Sequence, residues 1–215
     1  MSGFDRPRDT WNARYAGADF HFGTAPNAFL AAHAHRLPAS STVLCVADGE
    51  GRNGVWLAQQ GHRVSAFDIA ANGIAKARRL AAQRGVDVEF VVADIAEWRW
   101  QERSFDALVA IFIQFLAPDE RDAVFAGMRA AVRPGGLLLL QGYRPEQVDY
   151  GTGGPPRREH MYTAAWLRAT FAGWDIEHLA LHDDELSEGA GHHGRSALID
   201  LVARRPGPAV QPRPT

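Results

Sequence analysis

A glycine-rich segment that directly follows a short apolar run is the first place where residue types and spacing indicate chemistry. The apolar run covers residues 42–46, and the string Gly49-Glu50-Gly51-Arg52-Asn53-Gly54 leads into a helical pattern over 51–60. Glycine permits a tight turn and a close approach of ligand to backbone, and a helix N-terminus offers free N–H groups to an anionic group. The segment 43–54 therefore predicts a cofactor site, with an ordinary glycine turn as the alternative.

Two aspartates follow the next two predicted strands. Asp68 ends the strand 63–68, where a carboxylate can accept hydrogen bonds from both hydroxyls of a ribose. Asp94 follows the strand 88–92, where it could accept from an adenine amino group while Ile95 covers the ring. Each aspartate could instead cap a helix. Together with the glycine string they predict that a nucleotide-like group lies across these strand ends.

A second cluster of reactive types lies near the end of the chain, in the segment 188–195 with the sequence EGAGHHGR. Arg195 could steer an anion, and His192 could take a proton, which makes these two residues the catalytic candidates. A hairpin-like connection with solvated histidines is the alternative. No metal site is predicted, because the adjacent His192 and His193 point apart on an extended chain and lack an HxxxH or cysteine partner.

The elements that must position these residues alternate between strand and helix patterns. Strands are predicted at 42–46, 63–68, 88–92, 105–112 and 137–141, and helices at 26–37, 51–60, 71–84 and 118–132. This pattern predicts five β–α units before residue 145. After a loop at 144–159 and a helix at 163–171, two strands at 175–182 and 197–203 are predicted to pair antiparallel through a polar connection at 183–195.

These elements predict an α/β fold, namely a doubly wound, mostly parallel, seven-stranded Rossmann-like sheet with an antiparallel pair at its C-terminal end. Ligands of such sheets lie beyond the carboxyl ends of the strands. We expect a single domain over residues 1–205, with 1–40 as an N-terminal arm and leading helix. Residues 206–215 are rich in proline and are expected to form a disordered tail.

Composition narrows the classes of partner. Lys plus Arg (23) nearly balance Asp plus Glu (25), so a formal net charge of -2 argues against nucleic acid. No apolar window reaches the length of a membrane span and no export signal is evident, which favours a cytoplasmic protein without membrane contact. The only cysteine is Cys45, which excludes an intramolecular disulfide. No pattern indicates an oligomeric state.

The later strands separate two enzyme classes that share the glycine loop and the ribose acid. An acidic residue after strand three, the turn Pro134-Gly135-Gly136 before a leucine-rich strand, and the terminal antiparallel pair resemble the class I S-adenosylmethionine-dependent methyltransferases. The segments 11–30, 43–58, 133–143, 150–156 and 188–199 further resemble a bacterial branch of small methyltransferases similar to the tellurite-resistance and thiopurine methyltransferases. This resemblance spans residues 11–205.

The resemblance implies S-adenosyl-L-methionine as cofactor and assigns residues to its parts. The methionine moiety would lie against Ala47, Gly49, Gly51 and the strand-four end 110–113 with Ala110 and Phe112; the ribose and adenine would lie against Asp68, Ile69, Asp94 and Ile95. An arm containing Trp11, Arg14, Tyr15 and Phe22 would fold over the cofactor as a lid, with Arg14 reaching the methionine carboxylate. The sequence departs from the family at Cys45, where an acidic residue is usual, and at Ala47, where glycine is usual.

The activity implied is methyl transfer by in-line displacement to a small-molecule acceptor, such as a thiol or a chalcogen oxyanion. Positioning supplies much of the acceleration in such a reaction, and a thiolate needs no general base whereas an amine or hydroxyl does. Two alternatives remain. The same loop occurs in NAD(P)-dependent oxidoreductases, and the departures at Cys45 and Ala47 are compatible with a non-catalytic S-adenosylmethionine-binding protein.

Overall fold

The computed structural model describes residues 6–189 and 191–207, which form a seven-stranded sheet in the order β3-β2-β1-β4-β5-β7-β6. The strands are β1 Thr42–Val46, β2 Arg63–Asp68, β3 Val88–Val92, β4 Phe105–Ile111, β5 Val132–Tyr143, β6 Asp175–Glu188 and β7 His192–Arg204. The helices are α1 Pro7–Arg14, α2 Ala28–His33, α3 Arg52–Gln59, α4 Ala71–Arg84, α5 Pro118–Ala131, α6 Gln147–Tyr150 and α7 Ala164–Thr170. Short 3-10 turns cover Ala34–Arg36 and Arg158–His160.

The pairing of the strands confirms the predicted fold class. Strands β1 to β5 pair in parallel, and β7 runs antiparallel to both of its neighbours, β5 and β6. The carboxyl ends of β1, β2, β3 and β4 therefore meet at one edge of the sheet, beside the start of β7.

The C-terminal hairpin differs from the prediction. The prediction of a polar connection at 183–195 is wrong, because β6 and β7 continue into this stretch as far as the pair Glu188↔His192. Strand β6 lies at the edge of the sheet, and its polar residues 183–185 are exposed while its backbone pairs with β7. The polar composition of this stretch did not indicate a strand, although an edge strand tolerates polar side chains.

Two further differences concern helices. The predicted number of five β–α units is wrong, because the third unit lacks its helix. The described chain between β3 and β4 contains only turns. The start of the chain contains a helix that was not predicted, α1, which Pro7 begins at a first-turn position that needs no N–H donor. Most of the predicted tail, 208–215, lies outside the described residues.

The core lies on both faces of the sheet, as the four consecutive leucines of β5 predict. Leu138 and Leu140 pack into the cluster on one face, and Leu137 and Leu139 pack into the cluster on the other. Each is buried, and full burial of such a side chain contributes about 1.5–3 kcal/mol. The sheet is thus a rigid platform for the loops at its carboxyl edge. No helix within the described residues is long and apolar enough to cross a membrane.

Candidate functional site

A cavity opens at the carboxyl ends of the first four strands, between the sheet and the N-terminal arm. Strand-end residues form its floor, and α1, the segment after it and the start of β7 form its roof. The wall residues include Trp11, Tyr15, Phe22, Ala47, Asp48, Gly49, Arg52, Asn53, Asp68, Ile69, Ala93, Asp94, Ile95, Phe112, Phe115, Leu116, Glu120 and His192. Eight of the predicted site residues lie on this wall, namely Ala47, Gly49, Asp68, Ile69, Asp94, Ile95, Phe112 and His192.

The glycine loop turns through left-handed backbone at Ala47, Gly49 and Gly51, with φ values of 48°, 57° and 86°. A non-glycine residue in this region is strained, which explains why glycine is usual at the position of Ala47. Asp48 stabilises the turn, since its Oδ2 accepts from Gly54 N at 3.0 Å. Burial raises the pKa of the Asp48 carboxyl to about 7, although this hydrogen bond opposes the rise.

Asp68 is buried at the end of β2 and faces the cavity. Its Oδ2 accepts from Gly49 N at 2.9 Å, and its Oδ1 accepts from Ala70 N at 2.8 Å. A carboxylate has about four acceptor positions, so each oxygen retains one for a ligand hydroxyl. Asp68 is not the cap of the following helix, because the N-cap of α4 is Ala70. Burial raises the pKa of Asp68 to about 6, against the effect of the two backbone donors.

The floor beside Asp68 combines one acid with apolar side chains. Asp94 accepts from Ala96 N at 3.0 Å through Oδ1, so it caps a turn and lines the cavity at once. Ile69 and Ile95 flank this part of the wall. The arrangement has the chemistry that an adenine needs, namely an acceptor at its edge and apolar surface against its faces.

The N-terminal arm covers the glycine loop with aromatic rings. Tyr15 is buried and lies so close to the loop that a Cβ added to Gly49 would come 2.7 Å from its hydroxyl. Trp11 stacks on Tyr15 at a centroid distance of 5.6 Å, and Phe22 lies 6.3 Å from Tyr15. The arm therefore closes the cavity above the loop.

A buried ion pair holds the arm in place. Lys76 Nζ lies 2.6 Å from Glu50 Oε1, and both side chains are at most 4% exposed. The other oxygen of Glu50 accepts from His21 N at 2.7 Å, and Lys76 also donates to Asp19 O at 2.6 Å. The glycine loop, through Glu50, and α4, through Lys76, thus both bind residues 19–22 of the arm.

The start of β7 completes the roof. The ring of His192 lies 4.4 Å from Phe22 and 4.3 Å from Phe112. Its Nδ1 lies 3.2 Å from Glu188 Oε2, directly across the hairpin. Phe112 has a left-handed backbone, with φ of 55°, which turns the chain at the end of β4 so that its ring reaches His192.

Four predicted site residues lie outside the cavity wall. Ala110 is buried inside β4, and Gly51 packs against α4, where an added Cβ would come 2.6 Å from that of Ala77. Arg14 is exposed and lies over the ring of Trp11 at 4.7 Å. Arg195 pairs with Asp183 at 2.8 Å on the opposite face of β7 from His192, because side chains alternate along a strand.

Sequence reasoning missed several residues that form the site. Tyr15 was noted only as part of the arm, while Glu50, Lys76, Arg52 and Glu188 were given no role. The ion-pair partners Glu50 and Lys76 lie 26 residues apart along the chain, and Arg52 and Glu188 lie 136 apart, so spacing alone does not reveal these pairs. The presence of charged residues inside a glycine-rich string, where charge burial is costly, is the one available indication for Glu50 and Arg52.

Comparisons with known proteins agree with this geometry. Residues 43–136 match the model of a protein family described as "Methyltransferase domain". Two curated relatives from Escherichia coli strains, both tRNA 5-carboxymethoxyuridine methyltransferases, are 26% identical over 65% of this chain. The chain spans 61% of the length of these relatives.

Solved structures share the fold over nearly the whole chain. A protein from a study of the conversion of a disulfide bond into a thioacetal group during echinomycin biosynthesis has a TM-score of 0.76 and 21% identity, covering 94% of this chain and 93% of its own. TehB from Haemophilus influenzae has a TM-score of 0.69 and 18% identity, covering 93% and 67%. The N-methyltransferase NodS from Bradyrhizobium japonicum, in complex with S-adenosyl-L-homocysteine, has a TM-score of 0.70 and 15% identity, covering 94% and 100%.

Solved structures at these identities establish only the fold. The domain match and the curated relatives support the methyltransferase class. The branch within the class stays a prediction. Residues 43–136 match a methyltransferase domain, and the comparisons support the predicted methyltransferase class with S-adenosylmethionine as its cofactor.

Proposed function

We propose that this chain transfers a methyl group from S-adenosylmethionine to a small-molecule acceptor by in-line displacement. The observation that carries the proposal is one cavity whose wall has a polar part and an aromatic part. We take Asp68, Asp94 and the glycine loop as its cofactor end, and Trp11 and Phe115, whose ring centroids lie 6.5 Å apart, as its acceptor end. A donor bound at the first end would direct its methyl group toward an acceptor held at the second.

The residues at the polar end fit the cofactor. When bound, S-adenosylmethionine supplies a methyl group activated on a sulfonium sulfur. Asp68 has free acceptor positions that would hold the ribose hydroxyls, and Asp94, with Ile69 and Ile95 on the same wall, would accept from the adenine amino group. The strained turn at Ala47 brings bare backbone to the position of the methionine moiety.

The aromatic end favours an uncharged acceptor. Its wall includes the apolar side chains of Trp11, Phe22, Phe115 and Leu116, and Glu120 is the wall carboxylate that follows Leu116 in the sequence. Among the described wall residues the only Lys or Arg is Arg52, which is already paired with Glu188 at 2.7 Å. An anion bound there would lose its hydrating water without gaining a cationic partner. We therefore favour a thiol over a chalcogen oxyanion or a phosphate-rich nucleic acid.

We assign the proton of the acceptor to His192, which borders the aromatic end. The acceptor S–H or O–H gives its proton to the imidazole, and the electron pair of that bond forms the new bond to the methyl carbon. The bound cofactor would supply the methyl carbon, and its sulfur would leave with the electron pair of the carbon–sulfur bond. Because burial lowers the pKa of His192, the imidazole is neutral near pH 7 and able to take the proton.

Titration calorimetry with S-adenosylmethionine and with NAD tests the cofactor. We expect binding of the former alone; binding of NAD alone would favour the oxidoreductase alternative.

We place the chain in the branch similar to the tellurite-resistance and thiopurine methyltransferases, a placement that the fold likeness to TehB supports.

The acceptor requires a panel. Volatile methylated products should be measured with small thiols, tellurite and selenite, and methyl incorporation should be measured with tRNA that carries 5-carboxymethoxyuridine, because two relatives are named for that substrate. We expect turnover with thiols. Methylation of the tRNA alone would refute a small-molecule acceptor, and cofactor binding without any methylation would favour the non-catalytic alternative.

A further inference from the structure

The carboxylate of Glu188 joins three separate elements behind the cavity wall. Its Oε2 lies 2.7 Å from Arg52 at the start of α3 and 3.2 Å from His192 Nδ1 on β7. Its Oε1 accepts from Asn27 Nδ2 at 3.0 Å, at the cap of α2. The side chain is only 11% exposed, so these partners replace most of its contact with water.

Asn27 is itself held in one orientation. Its Nδ2 also donates to Gln141 Oε1 at 2.7 Å, its Oδ1 accepts from Leu30 N at 3.0 Å, and Gln141 Nε2 donates to Asp200 Oδ1 at 2.7 Å. Because its Oδ1 accepts from Leu30 N, Nδ2 is the end of the Asn27 amide that faces Glu188. The carboxylate is therefore aimed at His192 by a buried chain of hydrogen bonds that crosses β5 and β7.

The charge states of the pair follow from their surroundings. Burial raises the pKa of Glu188, but the hydrogen bond to His192 and the Arg52 guanidinium outweigh burial and hold the pKa at about 2. Burial lowers the pKa of His192 more than Glu188 raises it, and the charges of Arg52 and His21 lower it further. Near pH 7 the pair is an ionised carboxylate beside a neutral imidazole.

This pairing determines the tautomer of His192. An ionised carboxylate can only accept, so the hydrogen bond requires the proton on Nδ1 and leaves the lone pair on Nε2. Within residues 6–189 and 191–207, Nε2 has no hydrogen-bond partner and is not sealed from the cavity. The rings of Phe22 and Phe112 confine the imidazole from two sides.

We propose that Glu188 is a positioning residue that holds His192 in the Nδ1–H tautomer with Nε2 directed at the methyl acceptor. This inference rests on the proposed function, in which His192 takes the acceptor proton. Glu188 touches neither cofactor nor acceptor and acts through the imidazole. Its contact with Arg52 also links the position of His192 to the loop that binds the cofactor.

The tautomer can be measured without any turnover. Long-range proton–nitrogen NMR correlation on the full chain distinguishes Nδ1–H from Nε2–H imidazoles, and His192→Gln identifies the signal among the nine histidines. We expect His192 to be Nδ1–H in the unmodified protein, and to lose that preference in Glu188→Gln, whose amide can donate. An Nε2–H or protonated His192 at pH 7 in the unmodified chain would overturn the proposal.

Kinetics provide the second arm, with an acceptor that is not ionised at the assay pH. Glu188→Gln is expected to lower kcat on the order of 100-fold while the KM for the cofactor changes little, since proton transfer by a positioned base contributes about 10²–10⁴-fold. Glu188→Asp, which keeps the charge, should recover part of kcat. Glu185→Gln is the matched control, because Glu185 is an exposed carboxylate on the same strand.

The two arms separate failure of the inference from failure of the proposed function. Absence of cofactor binding would refute the proposed function while the tautomer stands as measured. An unchanged kcat in Glu188→Gln, with normal cofactor binding and turnover, would refute the positioning role. Should Glu188→Gln not fold, the tautomer of the unmodified chain and the kcat of Glu188→Asp still decide the question.

Discussion

The two ends of the cavity are built in different ways. The cofactor end is formed by successive strand ends within residues 46–96, and its central contact, from Gly49 N to Asp68, joins residues 19 apart. The acceptor end is formed by the N-terminal arm, the segment after β4 and the C-terminal hairpin, and Asn27 and Glu188, which support it, are 161 residues apart. Local geometry thus forms the proposed cofactor end, whereas the proposed acceptor end exists only in the complete fold.

The difference extends to how each end is stabilised. At the cofactor end, backbone N–H groups donate to the carboxylates of Asp48 and Asp68, which need no partner from a distant part of the chain. The arm and the hairpin that form the acceptor end are instead held by two buried ion pairs, Glu50–Lys76 and Arg52–Glu188. Buried pairs are costly to break, so they fix one arrangement of the arm and the hairpin.

The largest expected effect comes from separating the arm from the loop. Lys76→Met should destabilise the fold by about 3–5 kcal/mol, because it leaves the Glu50 carboxylate buried without its cation. Denaturant unfolding measures the loss, and limited proteolysis should show cleavage within the arm. Adding Glu50→Gln to this variant should restore most of the stability.

Arg99→Met is the control for that variant, since the Arg99–Glu102 pair is exposed and should contribute less than about 1 kcal/mol. Equal losses in Lys76→Met and Arg99→Met would show that the buried pair does not hold the arm.

The second effect concerns the acids of the cofactor end. The folded pKa of Asp48, about 7, lies above the ordinary value of 3.8, so stability is fully present below about pH 4 and falls as pH rises toward 7. Asp48→Asn removes this loss, and at pH 8 the ligand-free variant should be more stable by up to about 4 kcal/mol, at about 1.4 kcal/mol per pKa unit. Unfolding curves from pH 5 to 8 check this.

The exposed Asp87 offers the matched control for the pH dependence. Asp87→Asn should leave the pH profile of stability unchanged. A gain from Asp48→Asn that is the same at pH 5 and pH 8 would contradict the sign derived for Asp48.

The third effect tests the cofactor end directly. Asp68→Asn should weaken S-adenosylmethionine binding about 10- to 100-fold, because hydrogen bonds to a charged acceptor contribute about 1.5–3 kcal/mol. Since the pKa of Asp68 is raised to about 6, the affinity of the unmodified chain should decline below pH 6, whereas that of the variant should stay flat. Calorimetry at pH 5 and 7.5 measures both, and an unchanged Kd would remove Asp68 from the ribose site.

The same contrast explains what the sequence could predict. Asp68 and Asp94 were found because a strand followed by an acid is a local pattern, and the mostly parallel sheet followed from the alternation of elements. Arg195 was grouped with His192 because the hairpin was taken for a loop; pairing along β7 places them on opposite faces.

The remaining features could not be predicted because they depend on distant partners. The left-handed backbone at Phe112 could not be predicted from its residue type, because bulky side chains disfavour that conformation. Glu188 stood in a segment singled out for its reactive residues, but its partners Arg52 and Asn27 belong to other elements. Only the folded chain brings these groups together.

A fourth, smaller effect distinguishes the acceptor end. Trp11→Ala should raise the KM for a thiol acceptor about 10-fold, through lost contact with apolar surface, and change the Kd for S-adenosylmethionine less than about 3-fold. Steady-state kinetics and calorimetry measure the two. Phe20→Ala is the control, since Phe20 is an aromatic of the same arm outside the cavity wall. Weakened cofactor binding with normal acceptor KM would reverse the assignment of the two ends.

The smallest effect tests the strain in the glycine loop. Ala47 has φ of 48°, where glycine pays no steric penalty, so Ala47→Gly should stabilise the fold by about 1 kcal/mol after the greater entropy of the unfolded glycine is included. Ala70→Gly is the matched control, because Ala70 has an ordinary φ of -89° and its replacement should be neutral or destabilising. Denaturant midpoints compare the two. If Ala47→Gly is as destabilising as Ala70→Gly, the left-handed turn that brings the loop backbone to the cavity is not the conformation that this alanine adopts.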